Sequence, residues 1–384
     1  MKVAICTLSQ SMTAPSGLLS WFSQLAHYLP KVDPATEYHF IVSEATRSYI
    51  TGNSRAFTDL VGWDNAHRFM RVISEHLLVG AWAKRNAIDA LLMANAGTAP
   101  LYLPRPVKLV QGIFGFHHNS PTDLLPATRL YRRVFFDRTI HRADRIVINS
   151  EYSRDVLTRL APQALAKTRV VPHGRNNSLF HAGRITANEE AEFAALQIAT
   201  PFIAFVSQIY PYKNVRTAVD GFCRFVRQTG APHQLAVIGK FSTDFGQGEE
   251  YGAELVGIAR DYGLQNRLQF RSSVSVTALR TIYCKADAYI QSSLSETFGR
   301  TSLEAMACGC PVVAAQAAAT PEIVGDAGVY FDGLNAQDCA DALARLISDS
   351  SLSARCKERG IIRAGLYSIE NEARQLAAVF SEIV

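Results

Sequence analysis

The chain has 384 residues, 48% of them apolar and 19% charged, with 24 glycines and 15 prolines. Against a usual domain of about 150 residues this leaves room for two to three domains, and the composition excludes the disordered, collagenous and coiled-coil classes. The net charge of +5 hides an asymmetry: residues 1–184 hold 22 Lys/Arg against 12 Asp/Glu, and the remainder 17 against 22, so the first part should meet an anionic partner.

The opening KVAICTL reads as a buried parallel strand, followed by a polar loop ending at Ser16-Gly17 and a helix carrying Leu18, Leu19, Trp21, Phe22, Leu25, Tyr28 and Leu29. MKVAICTLSQ lacks the basic leader and apolar run of an export signal, so a cytoplasmic chain is expected. No run of 18 apolar residues occurs to cross a membrane. Strand HFIVS, a helical segment near 65–85, strands DALLMA and VKLVQGI, a helix near 124–142 and strand DRIVINS follow. Ser150 is placed to cap the next helix. Residues 129–145 carry six arginines, but at 100° per residue Arg129, Arg132 and Arg133 fall opposite Arg138, Arg142 and Arg145, so this is not a cleanly amphipathic membrane helix.

A polar, then acidic stretch after VVPHG (170–174), with Arg175, Asn176, Asn177, Ser178 and Glu189, Glu190, Glu192, reads as a linker. The pattern then restarts: strand FIAFVS, helix 214–228, strand QLAVIG, helix 250–262, strand RLQF, helix 276–285, strand DAYIQ, helix 301–308, strand PVVAA and a last helical segment at about 370–382. Alternating strands and helices predict two doubly wound α/β domains of Rossmann type, over 1–185 and 186–365. The helix of 366–384 is expected to return to the first domain. Ligands of such folds bind in the crevice at the carboxyl ends of the strands. The seven scattered cysteines, including Cys308-Gly309-Cys310, read as buried, inert thiols rather than a disulfide or metal framework.

The chemistry concentrates in QSSLSETFGRTSLEAMACGCPVVAA (291–315). A strand ends, a loop carries Glu296 and Gly299, and a helix begins with Thr301 or Ser302 as its expected cap. Amides of Gly299, Arg300, Thr301 and Ser302 would seat a phosphate. Glu296 and Glu304, eight residues apart, could then straddle that seat and accept hydrogen bonds from hydroxyl pairs, which suits a ligand with a sugar on each side of a diphosphate. The plainer alternative makes Glu296 a helix cap and Glu304 a solvated surface residue. In FVSQIYPYKNVRTAVDGF (205–222), Lys213 stands in a loop after a strand, as a point charge suited to a phosphate oxygen or as an ordinary exposed lysine.

Taken together, SETFGRTSLEAMACGCPVV, TPEIVGDAG (320–328), YPYKN, ADRIVINSEYS (143–153) and VVPHG followed by Phe180 resemble the retaining glycosyltransferases of GT-B fold, glycosyltransferase family four. The resemblance spans about residues 140–330 in the family's order. It implies that Glu304 holds the ribose hydroxyls and Glu296 a hydroxyl of the transferred sugar, beside backbone amides of Thr297, Phe298 and Gly299. Lys213 corresponds to the diphosphate-binding lysine. Where the family carries a Gly-Arg pair five residues earlier, this chain has Ser207-Gln208, and Arg216 or Arg300 stands as a substitute for the missing arginine. Gly17 corresponds loosely to the amino-terminal glycine loop. His117 or His118, with His118 preferred, would face the donor sugar. The implied reaction is front-face transfer of a hexose with retention, from GDP-mannose or a UDP-sugar to a saccharide or lipid-diphosphate-linked acceptor, with a possible anionic membrane surface as partner.

No Asp-x-Asp pair occurs, so no metal or other cofactor is expected. A nucleotide-sugar 2-epimerase of the same fold, or a nucleotide-binding scaffold without turnover, are the competing readings. The absence of G-x-G-x-x-G after a strand argues against a nicotinamide enzyme, and interspersed acids without a recognition motif argue against nucleic acid.

Overall fold

The computed structural model describes residues 1–8, 17–50, 56–60, 68–94, 98–116, 126–209, 211–241, 248–272 and 274–384. The chain divides into two units: Met1–Gly174 together with Ile369–Val384, and Arg175–Ser368. The boundaries therefore fall at 174 and 368, rather than at 185 and 365.

Among the described residues the first unit holds seven strands: β1 (Lys2–Cys6), β2 (Glu37–Val42), β3 (Ala56–Leu60), β4 (Ala90–Met93), β5 (Lys108–Gly112), β6 (Arg145–Ile148) and β7 (Thr168–Val170). They form one sheet in the order β3-β2-β1-β4-β5-β6-β7, with every ladder parallel. Of these, β3 and β7 had no strand-like signature in the sequence, being short and at the two edges, where neighbours on one side suffice. The second unit holds β8 (Phe202–Val206), β9 (Gln234–Ile238), β10 (Leu268–Arg271), β11 (Ala288–Gln291), β12 (Val312–Ala315) and β13 (Gly328–Phe331), ordered β10-β9-β8-β11-β12-β13 and again parallel. Central strand β8 is apolar throughout, and β1 and β11 are apolar apart from the end residues Lys2 and Gln291, because helices cover both faces.

Each sheet has a core on either face. In the first unit, one core joins Val3, Ile5 and Phe40 to Trp21, Phe22 and Leu25 of the helix Gly17–Val32, and to Ala373, Leu376 and Phe380 of the last helix, Ile369–Ser381. Burying side chains such as Leu376 and Phe380 contributes roughly 1.5–3 kcal/mol apiece, which fixes the last helix in the first unit. Its Glu382 adds ion pairs to Arg145 and Arg169 at 3.0 and 2.8 Å. This return, with the move of Arg175 and Arg184 to the second unit, changes the charge balance. Counted by unit, the first holds 21 Lys/Arg against 15 Asp/Glu, or +6, and the second 18 against 19, or −1.

The stretch read as a linker holds the helix Ala187–Ala195, started by a capping box in which Thr186 and Glu189 satisfy each other's backbone amides. Arg280, 2% exposed, anchors it through Glu189 at 2.5 Å. Ser150 caps the helix Glu151–Leu160, accepting from the Ser153 amide at 3.0 Å. All seven cysteines are free; six are buried and Cys284 is half-buried. Burial pushes the Cys6, Cys223, Cys310 and Cys339 thiols up, whereas a hydrogen bond to Cys308 pulls Cys284 down. Among the described residues, no helix is long and apolar enough to cross a membrane.

Candidate functional site

The site residues of the second unit lie on loops that leave the carboxyl ends of its strands. After β8, a single 3-10 turn (Pro211–Lys213) precedes the helix Val215–Thr229, and Asn214 between them adopts a left-handed conformation, φ 53°. The Asn214 side-chain amide donates to the Gly333 carbonyl at 2.6 Å, tying this turn to the loop after β13. Ser292, fully buried after β11, donates from one hydroxyl towards the carbonyls of Lys213 and Asn214 at 3.0 and 2.8 Å. The Leu294 amide donates to the Tyr212 carbonyl at 3.2 Å. Beyond β12, the Ala319 amide donates to the Glu296 carbonyl at 3.1 Å. Bonds to backbone carbonyls, from side chains and from amides, thus hold loops from four strands together, so the side chains they carry are positioned by the sheet.

Lys213 Nζ donates to Glu296 Oε1, with 16% of each side chain exposed. The ammonium also stands 4.9 Å from the centre of the Tyr212 ring. Burial works to lower the Lys213 pKa, but the charges of Glu296 and Tyr212 outweigh it and hold the lysine above its ordinary value.

The helix Arg300–Ala307 starts at Gly299, which takes φ 90°, ψ 54°. A Cβ there would meet Gln291 Nε2 only at 3.8 Å, so the positive φ rather than crowding calls for glycine. Gly299 therefore replaces Thr301 or Ser302 as the cap. Both of those side chains turn inward instead: Thr301 Oγ1 accepts from the Tyr289 hydroxyl at 2.7 Å, and Ser302 Oγ, 1% exposed, accepts from Gln291 Nε2 at 3.3 Å. What the helix start offers a ligand is backbone, the positive end of its dipole. Phe298 contributes likewise, since its side chain is 2% exposed and packs edge-on against Tyr367. Thr297 is half-buried in the same loop.

Glu304 stands one turn into that helix with 12% of its side chain exposed, so it is not a solvated surface residue. Burial pushes its carboxyl up to about 7, with Arg300 pulling the other way from 4.0 Å. The buried Tyr289 lies within electrostatic reach of both Glu296 and Glu304, which puts the two carboxylates on one neighbourhood of β11. Gln208 follows β8 as a half-exposed residue whose carbonyl accepts from Ser207 Oγ at 2.9 Å. Next to it, Gly239 at φ 149° lets the loop after β9 touch Ser207, where a Cβ would fall 1.7 Å from the carbonyl oxygen. Arg216, a candidate for the missing arginine, points to Glu254 at 2.9 Å and is 68% exposed. Arg300 is drawn towards Glu304.

In the first unit, Gly17 is exposed at the start of the helix Gly17–Val32, and among the described residues a Cβ there would meet nothing within 4 Å. His117 and His118 lie outside the described residues. VVPHG ends in a buried cluster that the sequence did not disclose. Glu372 of the last helix, 1% exposed, accepts from Trp21 Nε1 at 2.5 Å and from the Gly174 amide at 2.7 Å, with His173 Nδ1 at 2.8 Å. Phe114 packs on both rings. In the second unit, the residues missed are Ser292, Tyr212 and Asn214. Tyr212 and Asn214 lie within YPYKN but carry no expected role there, and the Ser-Ser pair directly after a strand is the available signal for Ser292.

Residues 188–363 match the family model described as glycosyl transferases group 1. The chain is 29% identical over 251 residues to the D-inositol 3-phosphate glycosyltransferase of Actinosynnema mirum, covering 64% of this chain and 59% of that protein. The enzyme of the same name from Corynebacterium glutamicum is 25% identical over 257 residues, 66% of this chain and 60% of the relative. The chain thus matches about 60% of the length of these curated relatives. Among solved structures, sucrose-phosphate synthase from Thermosynechococcus elongatus aligns over 100% of this chain and 98% of its own, with TM-score 0.79 and 17% identity. Anabaena HepE in complex with UDP and glucose aligns over 100% of both chains, with TM-score 0.74 and 19% identity. Residues 188–363, in the second unit, thus match the glycosyl transferases group 1 model, and the chain has the GT-B fold.

Proposed function

We propose that this protein is a retaining glycosyltransferase that moves a hexosyl group from a nucleotide-diphosphate sugar, GDP-mannose or a UDP-sugar, to a saccharide or lipid-linked saccharide. The observation that carries the reading is the joining of Lys213 and Glu296 beside the start of the helix Arg300–Ala307, with Glu304 buried one turn on. Breaking the bond from the anomeric carbon to the diphosphate builds negative charge on the leaving oxygens. A fixed cation and helix-terminal amides aimed at that charge are the means by which such sites lower barriers most. Glu296 would receive a sugar hydroxyl and Glu304 the ribose hydroxyls, each as an acceptor-only group. The names of the matched relatives and the UDP and glucose bound by the HepE structure support a nucleotide sugar as donor. In this reading Lys213 and the amides serve the leaving diphosphate without a metal, and the departing phosphate takes the acceptor's proton.

An anionic membrane surface fits the same reading as the place where a lipid-linked acceptor is met. Leu77, Leu101, Tyr102 and Val134 are exposed. The Tyr102 amide donates to the His76 carbonyl, and Arg138 donates to the carbonyls of Pro100 and Leu101 at 2.8 and 2.9 Å. The four apolar side chains therefore belong to one region beside the helix Pro126–Arg142, which has five arginines and one aspartate. Apolar anchors beside an arginine such as Arg138 favour anionic lipid. Co-sedimentation with phosphatidylglycerol vesicles but not phosphatidylcholine vesicles, reduced by Leu101→Ser with Val134→Ser, is the expected result.

Thermal-shift titration with nucleoside diphosphates and their sugars tests the donor site, because a ligand bound only by the folded chain raises its melting temperature. Stabilisation by one base series, followed by donor turnover only when an acceptor is added, is expected. Conversion of the free nucleotide sugar to its epimer would replace transfer with epimerisation.

A further inference from the structure

Lys213 and Glu296 are partners of each other. Their side chains are held on loops fixed by Ser292, Asn214 and Ala319, and each has lost most of its contact with water. Charges in that state depend on one another, because removing one leaves the other desolvated and uncompensated. A diphosphate arriving at Lys213 competes with the Glu296 carboxylate for the same ammonium, and its own negative charge repels that carboxylate. If a hexose is attached, a sugar hydroxyl donates to Glu296 and replaces the partner it lost. A bare nucleoside diphosphate brings no such donor.

We propose that Glu296 is a resident counter-anion, through which the Lys213–Glu296 pair makes the site prefer a nucleotide sugar over the same nucleoside diphosphate without its sugar. The inference rests on the donor-site reading above and concerns selectivity within it. Selectivity is a difference of two affinities. Here the difference comes from penalising the bare diphosphate rather than from gripping the sugar more tightly. After transfer, the sugar hydroxyl leaves with the product. Glu296 then recaptures the lysine, which favours release of the spent nucleotide. No bond is made or broken in this exchange, and the ammonium remains protonated throughout.

The test is isothermal titration of the full chain with inorganic pyrophosphate, UDP, GDP, UDP-glucose and GDP-mannose, for the wild type, Glu296→Gln and Lys213→Met. Glu296→Gln should bind pyrophosphate and the recognised nucleoside diphosphate at least about fivefold more tightly than the wild type. Its affinity for the matching nucleotide sugar should stay level or fall, so the preference for the sugar-bearing form collapses. Lys213→Met should lose affinity for both forms. Thermal melts establish that each variant is folded. Should Glu296→Gln be unfolded, Glu296→Asp, which shortens the reach of the carboxylate, must shift the preference in the same direction to a smaller extent. Unchanged or weaker binding of the bare diphosphates by the folded variant would overturn the inference and leave the donor site intact. Failure of every probe to bind the wild type would remove the donor-site reading and this inference with it.

Discussion

Two buried carboxylates, one in each unit, show what separates a group built to stay from a group built to exchange. Glu372 is surrounded by fixed partners: an indole N–H, a backbone amide and an imidazole nitrogen, on the helix Gly17–Val32 and the turn after β7. Glu296 has a flexible ammonium, itself flanked by Tyr212, and 16% of its side chain remains open to solvent. Rigid donors that belong to the fold make a carboxylate part of the core. A mobile cation that a diphosphate also wants makes one available to a ligand. Glu304 is a third condition: it is buried, with Arg300 no nearer than 4.0 Å, and its carboxyl is pushed up to about 7.

This contrast is broken most severely at Glu372. Glu372→Ala leaves the Trp21 and Gly174 donors buried without an acceptor and should cost roughly 3–5 kcal/mol, read as a lower midpoint in urea. A midpoint close to wild type would show that the cluster is dispensable. Lys213→Met reverses the pattern. Turnover should fall by about 10²–10³-fold, the usual cost of removing a fixed donor to a developing charge, and stability should fall less than in Glu372→Ala, because Glu296 keeps 16% of its side chain open to solvent and regains water when its partner is removed.

Glu304 sharpens the comparison through pH. Its folded-state pKa is raised from 4.5 to about 7 by burial, so the folded chain retains a proton that the unfolded chain has released. Its contribution to stability is full below pH 4.5 and is lost as pH rises through about 7. Glu304→Gln should flatten that part of the stability profile and be the more stable protein at pH 8 without ligand, while binding nucleoside diphosphate about tenfold more weakly. In the wild type, nucleotide affinity should rise with pH through the same range, because ribose hydroxyls favour the ionised carboxylate. Equal pH profiles for the two proteins would remove Glu304 from the site. The smallest effect is expected at Gly17. Among the described residues nothing lies within 4 Å of its Cβ position, so Gly17→Ala should change stability by less than about 1 kcal/mol. A large fall in turnover at unchanged stability would then mark Gly17 as a residue a ligand approaches closely.

Strand identity and the two-unit α/β plan were legible because buried parallel strands are apolar runs whatever their surroundings: FIAFVS, QLAVIG and DAYIQ announce themselves locally. Lys213, Glu296, Gly299 and Glu304 were legible as candidates because their residue types follow strand ends. The short edge strands β3 and β7 had too little periodicity, and the capping box of Thr186 and Glu189 was submerged in an acidic stretch that looked like a linker. The N-cap was misplaced by two or three residues, since Thr301 and Ser302 are good cap residues but the backbone instead turns at Gly299 with positive φ.

By itself, then, the sequence determined the interior strands of both sheets but not the edge strands β3, β7 and β13, and it determined which loops carry charged and small residues and which family pattern they fit. The tertiary structure alone decided their partners. Lys213 and Glu296 are 83 residues apart, and Trp21 and Glu372 are 351 apart. Side-chain pairing over such separations has no local signature, because it depends on the order of strands in the sheet and the course of the loops between them. The last helix illustrates the same cause. Its apolar stripe could be read, but only packing against Trp21 and Phe22 brought its acids into the first unit and lowered the charge that the linear count had assigned there.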